Sequence, residues 1–330
     1  MDQKNGFGRS VSSSAMVLLA AGALAAVFVI APVSMAGQGP PPGGGFGGRG
    51  GGKQAPPAGP VPRTKEGKPD LSGFWGGVQP GGVTSIEPQV RGGRGGGRGP
   101  GGPPGGGPGG ARGGRGGFGG APRPNSIVDP ADGKVPYTVA ARAKSDDLIA
   151  NGMFHEPELH CFMSGVPHNM WVQFGQQTIQ TKDDVVFTWE FMHSRRIIPL
   201  DNRPHQITSP AVHLFQGESV GHWEGDTLVV ETTHQNDKTW FDTSGHYKPE
   251  DVHVVERFTM TDSNTIDYEA DVTSAEFTQP MKVKGTQRRA EINNPDYEQM
   301  EFACIEGNQD LQHYTEDKGG KAKNVGARTQ

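Results

Sequence analysis

The chain has 330 residues, with 31 Lys and Arg against 36 Asp and Glu, for a net charge of −5. That acidic balance argues against nucleic acid as a partner of the folded part. Its two cysteines lack further Cys or His at close metal-ligand spacing, apart from His160 beside Cys161, so nothing in their flanks supports a zinc site.

In chain order, the first element is an export signal. Lys4 and Arg9 precede an apolar run from Ala15 to Ala31, which closes with Pro32 and Ser34-Met35-Ala36, and cleavage is expected after Ala36. The run approaches the roughly 17 residues that barely span a bilayer, so an uncleaved membrane anchor is the alternative. No cysteine follows the run and no paired arginines precede it, which argues against a lipoprotein or a folded-export signal. The mature chain is therefore expected in the periplasm or outside the cell. In that oxidising setting Cys161 and Cys304, 143 positions apart, read as a disulfide, the other reading being two buried thiols.

Residues 37–125 hold 36 of the 52 glycines and many prolines, and such a segment buries too little apolar surface to offset its ordering entropy. It divides into a linker (37–65), a short return of Leu71, Phe74 and Trp75 read as the first strand (66–78), and a low-complexity insertion (79–125). The insertion carries Arg91, Arg94, Arg98, Arg112 and Arg115 among glycines. Its readings are a plain linker, a cationic loop touching anionic envelope polymers or lipids, or a single-strand nucleic-acid binder, the last disfavoured by export. With +1 on residues 1–36 and +8 on 37–125, residues 126–330 carry −14.

Residues 126–315 read as a single β-rich domain, followed by a polar tail (316–330) expected to be disordered. Residues 139–151 form one short helix with Gly152 as its stop. Strands are expected at 185–193, 194–200, 219–224, 227–234, 252–260, 264–273, 281–290 and 297–304, joined by short turns. This predicts a mostly β fold, an antiparallel meander closed as a barrel or folded as a sandwich, lipocalin-like in outline.

Alternation assigns the inner faces: Val185, Phe187, Trp189 and Phe191; Leu228, Val230 and Thr232; Val252, Val254, Phe258 and Met260; Ile266, Tyr268, Ala270 and Val272; Met300, Phe302 and Cys304. His193, His234 and Glu256 continue these apolar faces. Glu256 either pairs with a buried arginine such as Arg196 or acts as a general base with His193 or His234 as its partner acid. The three also form a two-histidine, one-carboxylate set suited to a metal. Glu224-Gly225-Asp226 reads as a hairpin turn, and the loop after His234, with Asp237 and Trp240, as a cap on a pocket. Arg196, Trp189, Trp240, Asp237, His205 and His168 are the candidate ligand contacts. No nucleophile elbow, phosphate loop or dinucleotide fingerprint is present, and no cofactor is named by any motif.

Six stretches together resemble a family of exported bacterial proteins: GKPDLSGFW (Gly67 to Trp75), CFMSGVPHNM (Cys161 to Met170), His193-x-x-Arg196 leading to DNRPH (Asp201 to His205), VGHWEGDTLVVETT (Val220 to Thr233), NDKTWFD (Asn236 to Asp242) and HVVERF (His253 to Phe258). The resemblance covers nearly all of the folded part and implies a secreted, mostly β domain. It transfers no catalytic residues. The chain departs from the family at His168, where Arg is usual, and at Lys248, where His is frequent. The insertion between Trp75 and Ile127 is also particular to this chain. The function expected is binding of a small amphipathic or apolar molecule in a barrel-like interior. The alternatives are an enzyme (hydrolase, lyase or isomerase) built on Glu256 with His193 or His234, and an envelope-associated protein acting through the Arg-Gly segment.

Overall fold

Alternating apolar residues make strands wherever one face can be buried, and most of the described chain follows that rule. A computed structural model describes residues 58–80, 85–88, 126–172, 174–290, 297–306, 308 and 311. The expected export signal, most of the expected linker, the Arg-Gly block and the expected disordered tail lie outside these residues.

Ten strands and one α-helix are described: β1 (Gly73–Trp75), β2 (Ile127–Asp129), α1 (Val139–Asn151), β3 (Gln176–Gln180), β4 (Asp184–Trp189), β5 (Arg195–Pro199), β6 (Glu218–Glu224), β7 (Thr227–Thr233), β8 (His253–Asp262), β9 (Thr265–Thr273) and β10 (Met281–Arg288). They form two antiparallel sheets, ordered β1-β3-β4-β5 and β2-β10-β9-β8-β7-β6. Among the described residues these ladders leave two open sheets and no closed barrel. The fold is therefore mostly β with one helix, as expected. No described helix is long and apolar enough to cross a membrane.

The inner faces of the two sheets meet in one core. Phe187 on β4 contacts Phe258 on β8 with ring centroids 5.3 Å apart, and Phe258 contacts Tyr268 on β9 at 5.3 Å. Trp75 is fully buried, and its Nε1 donates to the Leu71 carbonyl at 2.8 Å. The segment after β1 reaches the other sheet: Gly76 N donates to Arg288 O at 2.8 Å, and Gln79 exchanges hydrogen bonds with Thr286. Gly285 permits that approach, since a Cβ there would lie 2.8 Å from Gln79 O.

The β6–β7 hairpin turns at Gly225 and Asp226, with Gly225 at φ +60, the left-handed value a tight two-residue loop needs at its first position. Helix α1 starts at Thr138, whose Oγ1 accepts from Ala141 N, and stops where Gly152 N donates to Leu148 O.

Three expectations need correction, and one strand, β3, was not expected. The strand expected over 185–193 ends at Trp189, and residues Phe191–His193 form a 3-10 turn that puts His193 in solvent. Residues 297–304 pair with no strand, and Met300 is 68% exposed, so Met300, Phe302 and Cys304 do not share an inner face. The stretch 66–78 contains only a three-residue strand. β3 escapes the hydrophobic pattern because its inner face is polar: buried Gln176 donates to Thr178 Oγ1 at 3.1 Å and accepts from Gln287 at 3.3 Å. The disulfide is present, with Cys161 and Cys304 Cα atoms 5.6 Å apart, and it ties the C-terminal segment to the loops.

Candidate functional site

Between α1 and β3 the chain runs through short 3-10 turns, because Pro157 and Pro167 and the glycines near them interrupt any longer helix. Glu156 caps the turn Pro157–His160: its Oε1 accepts from Glu158 N at 3.0 Å and its Oε2 from Leu159 N at 2.9 Å. Pro157 suits the first position of that turn, where no amide hydrogen is needed. Burial pushes the Glu156 carboxyl up, and the neighbouring Glu158 adds to it, reaching about 8 despite the two amide donors.

Glu158 Oε1 accepts from Ser164 Oγ at 2.6 Å and lies 3.6 Å from His168 Nε2. His168 Nδ1 donates to the Trp240 carbonyl at 3.0 Å, which turns the other ring nitrogen, Nε2, toward Glu158. That nitrogen is buried and has no hydrogen-bond partner among the described residues.

Both glutamates line a pocket of about 340 Å³. Its other walls are Met153, Leu159, Phe191, Met192 and Phe302, with Thr243 and the disulfide-bonded Cys304. The aromatic wall is held by ring contacts: Phe191 to Phe302 at 5.3 Å, and Phe174 to each of them at 5.8 and 5.2 Å. The disulfide thus brings Phe302 from the C-terminal segment to the turns that carry Glu156 and Glu158.

A second buried cluster lies nearby. His246 Nδ1 meets Asp242 Oδ2 at 2.5 Å, its Nε2 is 3.4 Å from Glu87 Oε2, and Arg142 Nη2 donates to Glu87 Oε1 at 2.7 Å. Asp242 also accepts from Ile86 N at 2.7 Å, so this cluster joins residues 85–88 to α1 and the loop 240–248. Its charges compensate one another within the protein, which suits a structural lock. Lys248 is buried as well and donates to Asn236 O at 2.8 Å; burial pulls its amine down to about 7.

Glu256 pairs with Arg196 inside the core, the ion-pair alternative of the sequence reading. His193 is exposed, whereas His234 stands at a loop with its Nδ1 2.9 Å from Thr233 Oγ1. The catalytic set Glu256, His193 and His234 is thus dispersed, and no group of three or more potential metal ligands occurs among the described residues. Trp189 and Trp240 are buried in the core, Asp237 is exposed, and His205 lies 3.5 Å from Glu218 on the rim of β6. Of the six candidate ligand contacts, His168 alone reaches a pocket carboxylate. His168 and Lys248, the two positions that depart from the resembled family, are both buried and do not line the pocket.

Glu156 and Glu158 carried a legible signal, an acid-Pro-acid start to a helical turn, but nothing local marks them as pocket residues. Their partners on the wall come from positions far along the chain. No protein-family model matches the chain, and neither a curated protein nor a solved structure shows significant similarity to it.

Proposed function

We propose that this is an exported protein that binds a small amphipathic molecule, and that it belongs with the exported proteins its motifs resemble. Its two sheets stack as a sandwich-like support, and the ligand sits in the pocket beside Glu156 and Glu158. The observation that carries the reading is that pocket: about 340 Å³, with methionine and phenylalanine walls and two carboxyl groups. Apolar walls supply affinity through area removed from water, and a few polar groups orient the ligand. The space between the sheets suits a ligand less well, because large buried side chains and the Arg196–Glu256 pair occupy it. The disulfide supports export, since such bonds persist chiefly in oxidising compartments.

Native mass spectrometry of the mature protein, purified from its own cell envelope, tests the proposal. The expected result is a retained organic mass that disappears in Met192→Trp, a change that fills the pocket from its half-buried wall, with the melting temperature of the empty protein preserved. A mass retained equally by wild type and Met192→Trp, or none in either, would overturn the assignment of this pocket.

A further inference from the structure

We infer that residues 301–306 form a redox-sensitive strap along the pocket. The Cys161–Cys304 disulfide latches it, and reduction by a dithiol releases it, taking Phe302 and Cys304 out of the wall. The strap belongs to the wall and not to what the pocket holds, so its test stands apart from the test of binding.

Two unequal kinds of anchor hold the C-terminal segment. As far as Met300 it is tied to the first sheet and the turn after it. The Tyr297 hydroxyl donates to Glu190 Oε1 at 3.1 Å, Met300 N donates to the same oxygen at 2.8 Å, and Gln299 Nε2 donates to Thr188 O at 2.9 Å. Glu190 is itself buried, so this anchor is firm. Beyond Met300 the hold weakens. Glu301, Ile305 and Glu306 are exposed, Phe302, Ala303 and Cys304 are only partly buried, and none of the six belongs to a strand. Phe302 leans on Phe174 and Phe191, and Cys304 is bonded to Cys161. A stretch with so little buried surface and no ladder opens easily once untied, so the covalent bond is what keeps Phe302 in the wall.

The latch is open to exchange. Both cysteines are partly buried rather than enclosed, and Cys304 lines the pocket. Asn308 Nδ2 donates to Cys161 Sγ at 3.3 Å, a hydrogen bond that also stabilises a thiolate there and makes Cys161 the better leaving group. One thiolate of the dithiol attacks Cys304 Sγ, forming a mixed disulfide as the Cys161 thiolate leaves. The second thiolate attacks the reductant's own sulfur in that mixed disulfide, Cys304 leaves as a thiolate, and the reductant departs as its cyclic disulfide. The dithiol gives up two electrons and two protons, and the cysteine pair takes them up as two thiols. The wall is then reduced to residues of the turns and Thr243, open on the side that Phe302 and Cys304 had closed. A ligand held by that area is kept in an oxidising space and released where a dithiol is present.

Hydrogen exchange read by mass spectrometry, on the mature full chain with and without dithiothreitol, tests the strap. The expected result is two thiols on the still-folded protein and exchange across 301–306 faster by roughly 10-fold or more, with residues 254–272 in β8 and β9 unchanged. The double variant Cys161→Ser with Cys304→Ser should exchange fast at 301–306 without reductant. Its Met153, on the pocket wall, should be oxidised by hydrogen peroxide faster than in wild type, whereas Met281, fully buried, should not. No thiols in the folded protein, or unchanged exchange across 301–306 after reduction, would overturn the strap. Equal oxidation of Met153 in a folded double variant would do so too, since Phe302 would then have stayed in place. Faster exchange that spreads through 254–272 would also overturn it, making the disulfide a brace of the whole fold. The wild-type comparison decides the matter even where the double variant is poorly folded.

Discussion

Arg196 on β5 donates through Nη2 to Oε2 of Glu256 on β8, joining the two sheets through a pair whose side chains are 2% and 0% exposed. Around it, Tyr268 donates to Glu256 Oε1 at 3.0 Å, while Arg196 reaches Ser219 at 2.8 Å and Thr232 at 2.7 Å. A buried pair of this kind is costly to break and cheap to replace whole, because removing one partner strands the other charge away from water.

Glu256→Leu alone is therefore expected to cost about 3–5 kcal/mol of unfolding free energy, with Arg196→Met alone costing a similar amount. The double variant should recover most of that loss. Urea denaturation of the three variants checks it, and a double variant as unstable as the sum of the singles would remove the pair from its role between the sheets.

The disulfide closes a loop of 143 residues. In the chain-entropy account, a cross-link over a loop this long contributes about 4–5 kcal/mol. Cys304→Ser should lower the urea midpoint and, because Cys304 lines the pocket, weaken retention of the pocket's ligand as well. A thiol assay on the unfolded, unreduced wild type should find no reactive thiol; two thiols per chain would contradict the bridge.

His246 makes stability depend on pH. Burial pulls its imidazole down, but the hydrogen bonds to Asp242 and Glu87 outweigh burial and raise it from 6.5 to about 9. A group whose folded value is raised contributes stability that is complete below the unfolded value and is lost as pH climbs through the folded one. The contribution should thus fade between pH 6.5 and about 9. Glu87 works at the other end: burial raises it, yet hydrogen bonds from His246 and Arg142 bring it down from 4.5 to about 2, so its contribution is lost as pH falls from 4.5 toward 2. The stability of wild type minus that of His246→Gln should shrink steadily from pH 6.5 to 9. A difference that stays constant over that range counts against the lock formed by Glu87, His246 and Asp242.

Gly285 on β10 marks the crossing of the chain from β1 to the second sheet. A Cβ there would stand 2.4 Å from Val78 Cγ1 and 2.8 Å from the carbonyl oxygen of Gln79, a backbone atom that cannot rotate away. Gly285→Ala should cost about 1–3 kcal/mol by overpacking. Gly67→Ala is the comparison, since no atom lies within 4 Å of its added carbon but its φ of +78 carries a backbone penalty of its own. A smaller loss at Gly285 than at Gly67 would mean that β10 shifts to make room.

Much of the fold was legible where one face is apolar and the other wet. Ile266, Tyr268, Ala270 and Val272 are all buried, as their alternation requires, and so are Val185, Phe187 and Trp189. Legibility failed where the inner face is polar, as in β3, or where the alternation ran past the end of a ladder, as at His193 and Met300. In both cases the pattern was read without knowing which backbone would lie alongside it. The candidate site was hardly legible: Glu256 stands out as a buried acid, but its partner set of two histidines does not assemble, and no motif singles out the pocket glutamates.

The sequence by itself determined what depends on neighbours a few residues apart. It set the strand faces through the period of two, the helix start at Thr138 and its stop at Gly152, and the turn at Gly225. These follow from backbone geometry and hydrogen bonding within a short window. Tertiary structure alone decided that Glu256 would be enclosed by Arg196, Tyr268, Ser219 and Thr232, and that Phe302 would complete a wall with Glu156, Glu158 and Phe191. Those groupings join residues from 12 positions apart, as Glu256 and Tyr268, to more than a hundred, so they come into being only when the sheets pack and Cys161 meets Cys304.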